Sequence, residues 1–177
     1  MRSRKVIRGE FDSEMTPVPR ERKTKTAKQA LQSLERLCAR SEKSTGDAMR
    51  LMRTWGVPEA ERQGVLDALT SARYIDNRRY AEAYTREKSQ LSGWGERKIA
   101  LKLREKGIER ETINAVLAPL RDDDSKSERL QTKLERKLRT TKAANDYELR
   151  GKLLRYALSL GYEYDTAMEC IDRIVER

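Results

Sequence analysis

Side chains able to make or break bonds are scarce in this chain. None of its 177 residues is histidine, and its two cysteines, Cys38 and Cys170, stand far apart at apolar helical positions. Histidine-based triads and zinc-ligand spacings are therefore absent, and two reduced, buried thiols are expected rather than a disulfide. Gly93-Trp94-Gly95 is a local cluster of glycine, but it lacks the Gly-Lys-Ser/Thr ending of a phosphate-cradling loop. Most carboxylates fall at helix starts or on polar faces. No catalytic residue, metal ligand or cofactor is assigned, and an enzyme is not expected.

What remains is recognition by charge. Residues 77–120 hold ten basic and six acidic side chains, and residues 1–25 hold eight and four, so these two stretches carry most of the formal net charge of +10. In the central stretch Lys98 and Lys102 lie on one flank of a helix and Arg97 and Arg104 on another. Leu101 sits between the two arginines, turned away from Ile99 and Leu103. Such a helix is a solvated face, a track for phosphate, or the rim of a protein interface. An apolar residue ringed by arginine resembles an interface anchor more than a phosphate track. The candidate partner-binding residues are accordingly Arg97, Lys98, Leu101, Lys102 and Arg104, with Arg78 and Arg79 on the preceding helix.

The elements that must position these residues are short amphipathic helices. In the stretch 76–108 Tyr80, Ala83 and Tyr84 recur at helical spacing, as do Ile99, Ala100 and Leu103 beyond a glycine-bearing turn. Ile113, Val116, Leu117 and Leu120 make a third helix. Such a unit is too small to bury much alone.

It is also one copy of a repeat. Trp55-Gly56-Val57, Lys106-Gly107-Ile108 and Leu160-Gly161-Tyr162 are equivalent corners, with glycines 51 and 54 residues apart. Four residues before each glycine stand Met52, Leu103 and Ala157, and eight before it Ala48, Ile99 and Leu153. Nine and ten after it come Val65-Leu66, Val116-Leu117 and Cys170-Ile171, and thirteen after it Leu69, Leu120 and Ile174. Agreement at so many offsets in three copies indicates a true repeat. The glycine suits a left-handed helix C-terminus, with the next apolar residue folding back on the last turn.

At these residues the central unit resembles the RecX family of recombinase regulators. Asp76, Arg79, Tyr80, Ala81 and Tyr84 match the first half of that family's signature. Gly95, Arg97 or Lys98, Ile99, Leu103, Lys106, Gly107 and Ile108 match the second. Asn77 and Lys102 depart from it, standing where the family usually has an acidic residue and often a glutamate. The resemblance implies a protein that binds a RecA-type recombinase filament and inhibits its recombinase, ATPase and co-protease activity in DNA repair, recombination and the SOS response. Non-specific contact with single- or double-stranded DNA is the alternative reading. The helix starts in PEAERQGVLDAL and ERETINAVL are acidic and argue against base-reading helices.

Composition agrees with a row of small cores. With 38% charged residues, 37% hydrophobic and a mean hydropathy of −0.90, the chain is poor in material for one large core. No apolar run approaches the ~20 residues that span a bilayer, and the start MRSRKVIRGE lacks a signal-peptide core, so a cytoplasmic protein without membrane contact is expected. The expected architecture is all-α: an elongated tandem array of three three-helix-bundle repeats, acting as a monomer. Residues 1–25 form a basic flexible arm, and residues 26–75, 76–120 and 128–177 the repeats. The polar stretch 121–127 is a hinge, with Ser125 and Glu128 as a capping box at its end.

Overall fold

The computed structural model describes residues 24–121, 123 and 125–176. Most of the expected N-terminal arm, and residues 122 and 124 of the expected hinge, lie outside the described residues. Those described are all-α and carry nine helices. They are α1 (Ala27–Cys38), α2 (Thr45–Thr54), α3 (Glu59–Ser71), α4 (Asn77–Gln90), α5 (Glu96–Glu105), α6 (Arg110–Arg121), α7 (Ser125–Thr140), α8 (Asp146–Leu160) and α9 (Tyr164–Val175). None is long and apolar enough to cross a membrane.

Local chemistry explains where these helices begin and end. Thr26 and Gln29 form a reciprocal capping box, and Ser44, Asp76 and Asn145 each accept an orphan amide at the start of α2, α4 and α8. At the start of α7 the acceptor is Asp123 rather than the expected Ser125. The helix includes Ser125, whose amide and hydroxyl donate to Asp123 at 2.9 and 2.6 Å while Arg129 donates to the other carboxylate oxygen at 2.8 Å.

The three glycine corners share one geometry. Gly56, Gly107 and Gly161 have φ of 67, 74 and 90°. The following amides, of Val57, Ile108 and Tyr162, reach back to the carbonyls of Met52, Leu103 and Ala157 at 3.0, 3.1 and 3.3 Å. This closes the helix end and folds the residue after glycine under the last turn.

Each set of three consecutive helices buries its own core. Ala30, Leu34, Ala48, Met52, Val57, Val65, Leu69 and Ile75 form the first, and Tyr80, Ala81, Ile99, Leu103, Ile108, Ile113, Val116 and Leu117 the second. Leu130, Leu134, Leu153, Ala157, Leu160, Tyr162 and the inner face of α9 form the third. Cys38 and Cys170 are free thiols, and burial raises both above the usual thiol range.

The units are joined through their middle helices. The amide of Gly46, in the first turn of α2, donates to the carbonyl of Lys106 at the end of α5 (3.1 Å). The amides of Gly95 and Arg97 donate to the carbonyls of Leu160 and Gly161 at the end of α8 (2.8 and 3.2 Å). The carbonyl end of one middle helix thus meets the amide end of the one before it, which satisfies orphan groups on both and opposes unlike dipole ends.

Candidate partner-binding surface

The helix that carries most of the candidate residues is α5. Its Ile99 and Leu103 are wholly buried, and the carbonyl end of α8 takes the place of a side-chain cap at its start. With that face fixed inward, Leu101 must turn outward, and it remains 50% exposed. It lies in a groove between α5 and α6 whose apolar part is Ala100, Leu101, Ile113 and Leu117. Arg97, Arg104, Arg110 and Arg121 stand along the same groove with Asn114 and a single carboxylate, Glu96.

Two of those arginines are tethered and two are not. Arg97 pairs with Glu163 of the third unit, and Arg121 donates to Glu96 through both Nε (2.7 Å) and Nη2 (2.6 Å). Arg104 and Arg110 form no ion pair among the described residues. The groove therefore presents a half-exposed leucine beside two uncommitted guanidinium groups.

The other candidate residues lie elsewhere. Lys98 bridges the second and third units, donating to the carbonyl of Ser159 at 3.0 Å with its ammonium 4.5 Å from the Trp94 ring centroid. Arg79 bridges the first and second, donating to Glu42 at 2.6 Å, a bond that raises its pKa. Arg78 and Lys102 make local pairs with Glu82 (3.0 Å) and Glu105 (2.7 Å), the latter raising the Lys102 pKa. Only Arg97, Leu101 and Arg104 of the seven share the groove. Arg110 and Asn114 were missed because their place beside Leu101 follows from how α6 packs on α5.

The signature residues build the central unit and its seam with the first. Asp76 caps α4, and hydrogen bonding from the Arg79 amide holds its carboxyl below the usual range. Tyr80 and Ala81 are buried, and burial pushes the Tyr80 phenol up to about 12. Tyr84 stacks on Tyr80 with centroids 5.8 Å apart and meets Trp94 edge-on at 6.5 Å. Ile108 folds under α5. Lys106 crosses to Asp47 (2.8 Å), a buried residue whose carboxylate also pairs with Arg50 (2.7 Å). Asn77, one of the two departures, accepts from the Thr45 amide (3.1 Å) and donates to its hydroxyl (3.0 Å), so it too serves this seam.

Comparison with known proteins decides the family. Residues 76–117 match the family model for the second three-helix domain of RecX, and residues 123–171 match that for the third. The chain belongs to the RecX family. Over 120 residues it is 30% identical to the regulatory protein RecX of Mycolicibacterium smegmatis, a match covering 66% of this chain and 63% of that protein. With the RecX of Clostridium botulinum (strain Eklund 17B) it shares 26% identity over 148 residues, or 82% of this chain and 66% of the relative. The chain thus spans just under two thirds of the length of both. Against the RecX of Mycolicibacterium vanbaalenii the match is 26% over 161 residues and covers 88% and 87%. In fold the chain is similar to the crystal structure of RecX from Lactobacillus salivarius, with a TM-score of 0.69 at 19% identity over 85% of this chain and 97% of that one. The tandem three-helix architecture expected from the spacing of the glycine corners agrees with these RecX structures.

Proposed function

We propose that this RecX-family chain binds RecA-type recombinase filaments and restrains their recombinase, ATPase and co-protease activity, by contact and not by catalysis. The observation that carries the reading is the α5–α6 groove, where half-exposed Leu101 lies beside uncommitted Arg104 and Arg110. An apolar anchor among arginines is the composition of a protein interface core. Arg97 shares that groove. Arg78, Arg79, Lys98 and Lys102 lie outside it and act by fixing the units or through long-range charge.

The tandem arrangement suits a repetitive partner. A helix of 10–16 residues is about 15–24 Å long, so three units in series reach across more than one protomer of a filament. Weak contacts from separate units then reinforce one another through effective concentration, and a monomer in the cytoplasm suffices. The first turns of α3 and α6 carry Glu59, Glu61 and Glu111, which disfavours a helix-turn-helix reader lying in a major groove.

The experiment is ATP hydrolysis by recombinase assembled on single-stranded DNA, titrated with this chain, beside a titration of the chain on DNA alone. The expected result is a fall in hydrolysis at concentrations where naked DNA is largely unbound. Tight binding to naked DNA with filament activity unchanged would overturn the reading.

A further inference from the structure

The acidic residues of the N-terminal stretch are gathered rather than scattered. Glu10, Asp12 and Glu14 alternate with Phe11, Ser13 and Met15, and no basic residue stands between Arg8 and Arg20. Phe11 is the only phenylalanine in the chain. A basic arm thus contains one short segment, residues 10–15, that is anionic and offers two large apolar side chains.

The α5–α6 groove has the reciprocal chemistry. Its apolar part includes half-exposed Leu101, Arg104 and Arg110 form no ion pair among the described residues, and its one carboxylate, Glu96, is engaged by Arg121. Other concave surfaces lack part of this. The concavity between the end of α7 and α8 is cationic but has no aliphatic residue in its lining. The one beside α1 and α2 has Leu37 and Leu51, but its Glu42 and Asp47 would repel an acidic segment.

Reach allows the two to meet. The Lys25 amide donates to the carbonyl of Trp55 at 2.9 Å, and its ammonium lies 3.6 Å from the Trp55 ring centroid, so the arm leaves the fold at the end of α2. From Trp55 back to Gly46, which touches Lys106, is about 14 Å at ~1.5 Å per residue. Arg104 and Arg110 flank Lys106 in sequence, which puts this end of the groove roughly 20–25 Å from the start of the arm. Between Met15 and Thr24 the chain spans up to about 30 Å when extended, and Pro17 and Pro19 favour extended backbone there. A tether of this length gives an effective concentration of order mM, enough to hold a weak contact closed.

We propose that residues 10–15 dock in the α5–α6 groove of their own chain, with Phe11 against Leu101 and with Glu10, Asp12 and Glu14 facing Arg104 and Arg110. A partner entering the groove must displace the arm, which sets a threshold for that contact. The inference uses the groove of the proposed function but not its partner. Its test needs only this chain, so a chain without effect on recombinase would leave it standing.

The test is the effective concentration of a thiol pair, Ser13→Cys with Asn114→Cys, measured in a glutathione redox buffer on the full chain carrying Cys38→Ala and Cys170→Ala. Asn114 lines the groove and is exposed. The control pair is Ser13→Cys with Gln63→Cys, exposed on α3 of the first unit. The groove pair is expected to exceed the control at least ten-fold, independently of protein concentration. Arg104→Glu with Arg110→Glu should bring it to within two-fold of the control with helicity unchanged, and adding Glu10→Lys, Asp12→Lys and Glu14→Lys should restore at least five-fold. A groove pair no better than the control, indifference to the arginine reversal, reversal without rescue, or a crosslink formed only between two chains would each overturn the proposal.

Discussion

Gly46 lies directly against the carbonyl of Lys106: its amide donates to that oxygen at 3.1 Å, and a Cβ on Gly46 would stand 2.4 Å from the same atom. The next seam repeats the device, since a Cβ on Gly95 would lie 2.4 Å from the carbonyl oxygen of Gly161. Glycine at these points lets two helix ends approach closely enough to exchange backbone hydrogen bonds. The array is thus assembled by main-chain contact between units, with Asn77, Lys98, Arg79 and Arg97 as side-chain reinforcement.

Gly46→Ala separates this account from simple helix propensity by sign. Alanine should gain up to ~1 kcal/mol in a helix, yet here it should lose about 1–3 kcal/mol because the seam must open and its bonds break. Gly64→Ala, in α3 with nothing within 4 Å of an added Cβ, should gain the propensity term. Urea unfolding of the two variants reads both, and a Gly46→Ala protein as stable as Gly64→Ala would refute the close seam.

Lys106→Met should destabilise the chain by about 1–2 kcal/mol, because the nearly buried Asp47 carboxylate keeps only Arg50 as an ionic partner. Adding Asp47→Asn should cost less than it does alone. A double-mutant cycle in urea checks this, and strictly additive losses would show that the pair is uncoupled.

The parts of the structure that could be read from the sequence are those set by local spacing. The intervals separating Ala48, Met52, Val65 and Leu69 place them on inward helix faces, and the glycines at 56, 107 and 161 mark αL corners whatever surrounds them. The seams were not legible, because Gly46 and Gly95 look like ordinary helix-start residues until the partner carbonyl, some 60 residues away, is in place. For the same reason Lys98 and Arg79 read as candidate partner-binding residues, although Lys98 reaches the Ser159 carbonyl and Arg79 the Glu42 carboxylate of neighbouring units. The outward turn of Leu101 followed from Ile99 and Leu103, whereas Arg110 and Asn114 join it only through the packing of α6 on α5.

Acid should reveal the cap of α7. Hydrogen bonds from Ser125 and Arg129 lower the Asp123 carboxyl to about 2, against ~3.9 for an unfolded aspartate. Between those values the unfolded chain binds more protons than the folded one, so the stabilisation is complete above about pH 4 and lost as pH falls through about 2. The site is open to solvent, which keeps the effect small. Asp123→Asn should therefore melt below the parent at pH 5 and together with it at pH 2. A melting-temperature gap independent of pH would contradict the assignment.

The central claim rests on Leu101, and the measurement that tests it most directly is recombinase ATP hydrolysis on single-stranded DNA with the parent chain and with Leu101→Asp. A charge at a half-exposed position leaves the folded unit intact, but it should prevent burial of the anchor against a partner. The account predicts that the parent suppresses hydrolysis, and that Leu101→Asp, with unchanged helicity, loses that suppression at least ten-fold in concentration. A folded Leu101→Asp protein that inhibits as well as the parent would contradict it.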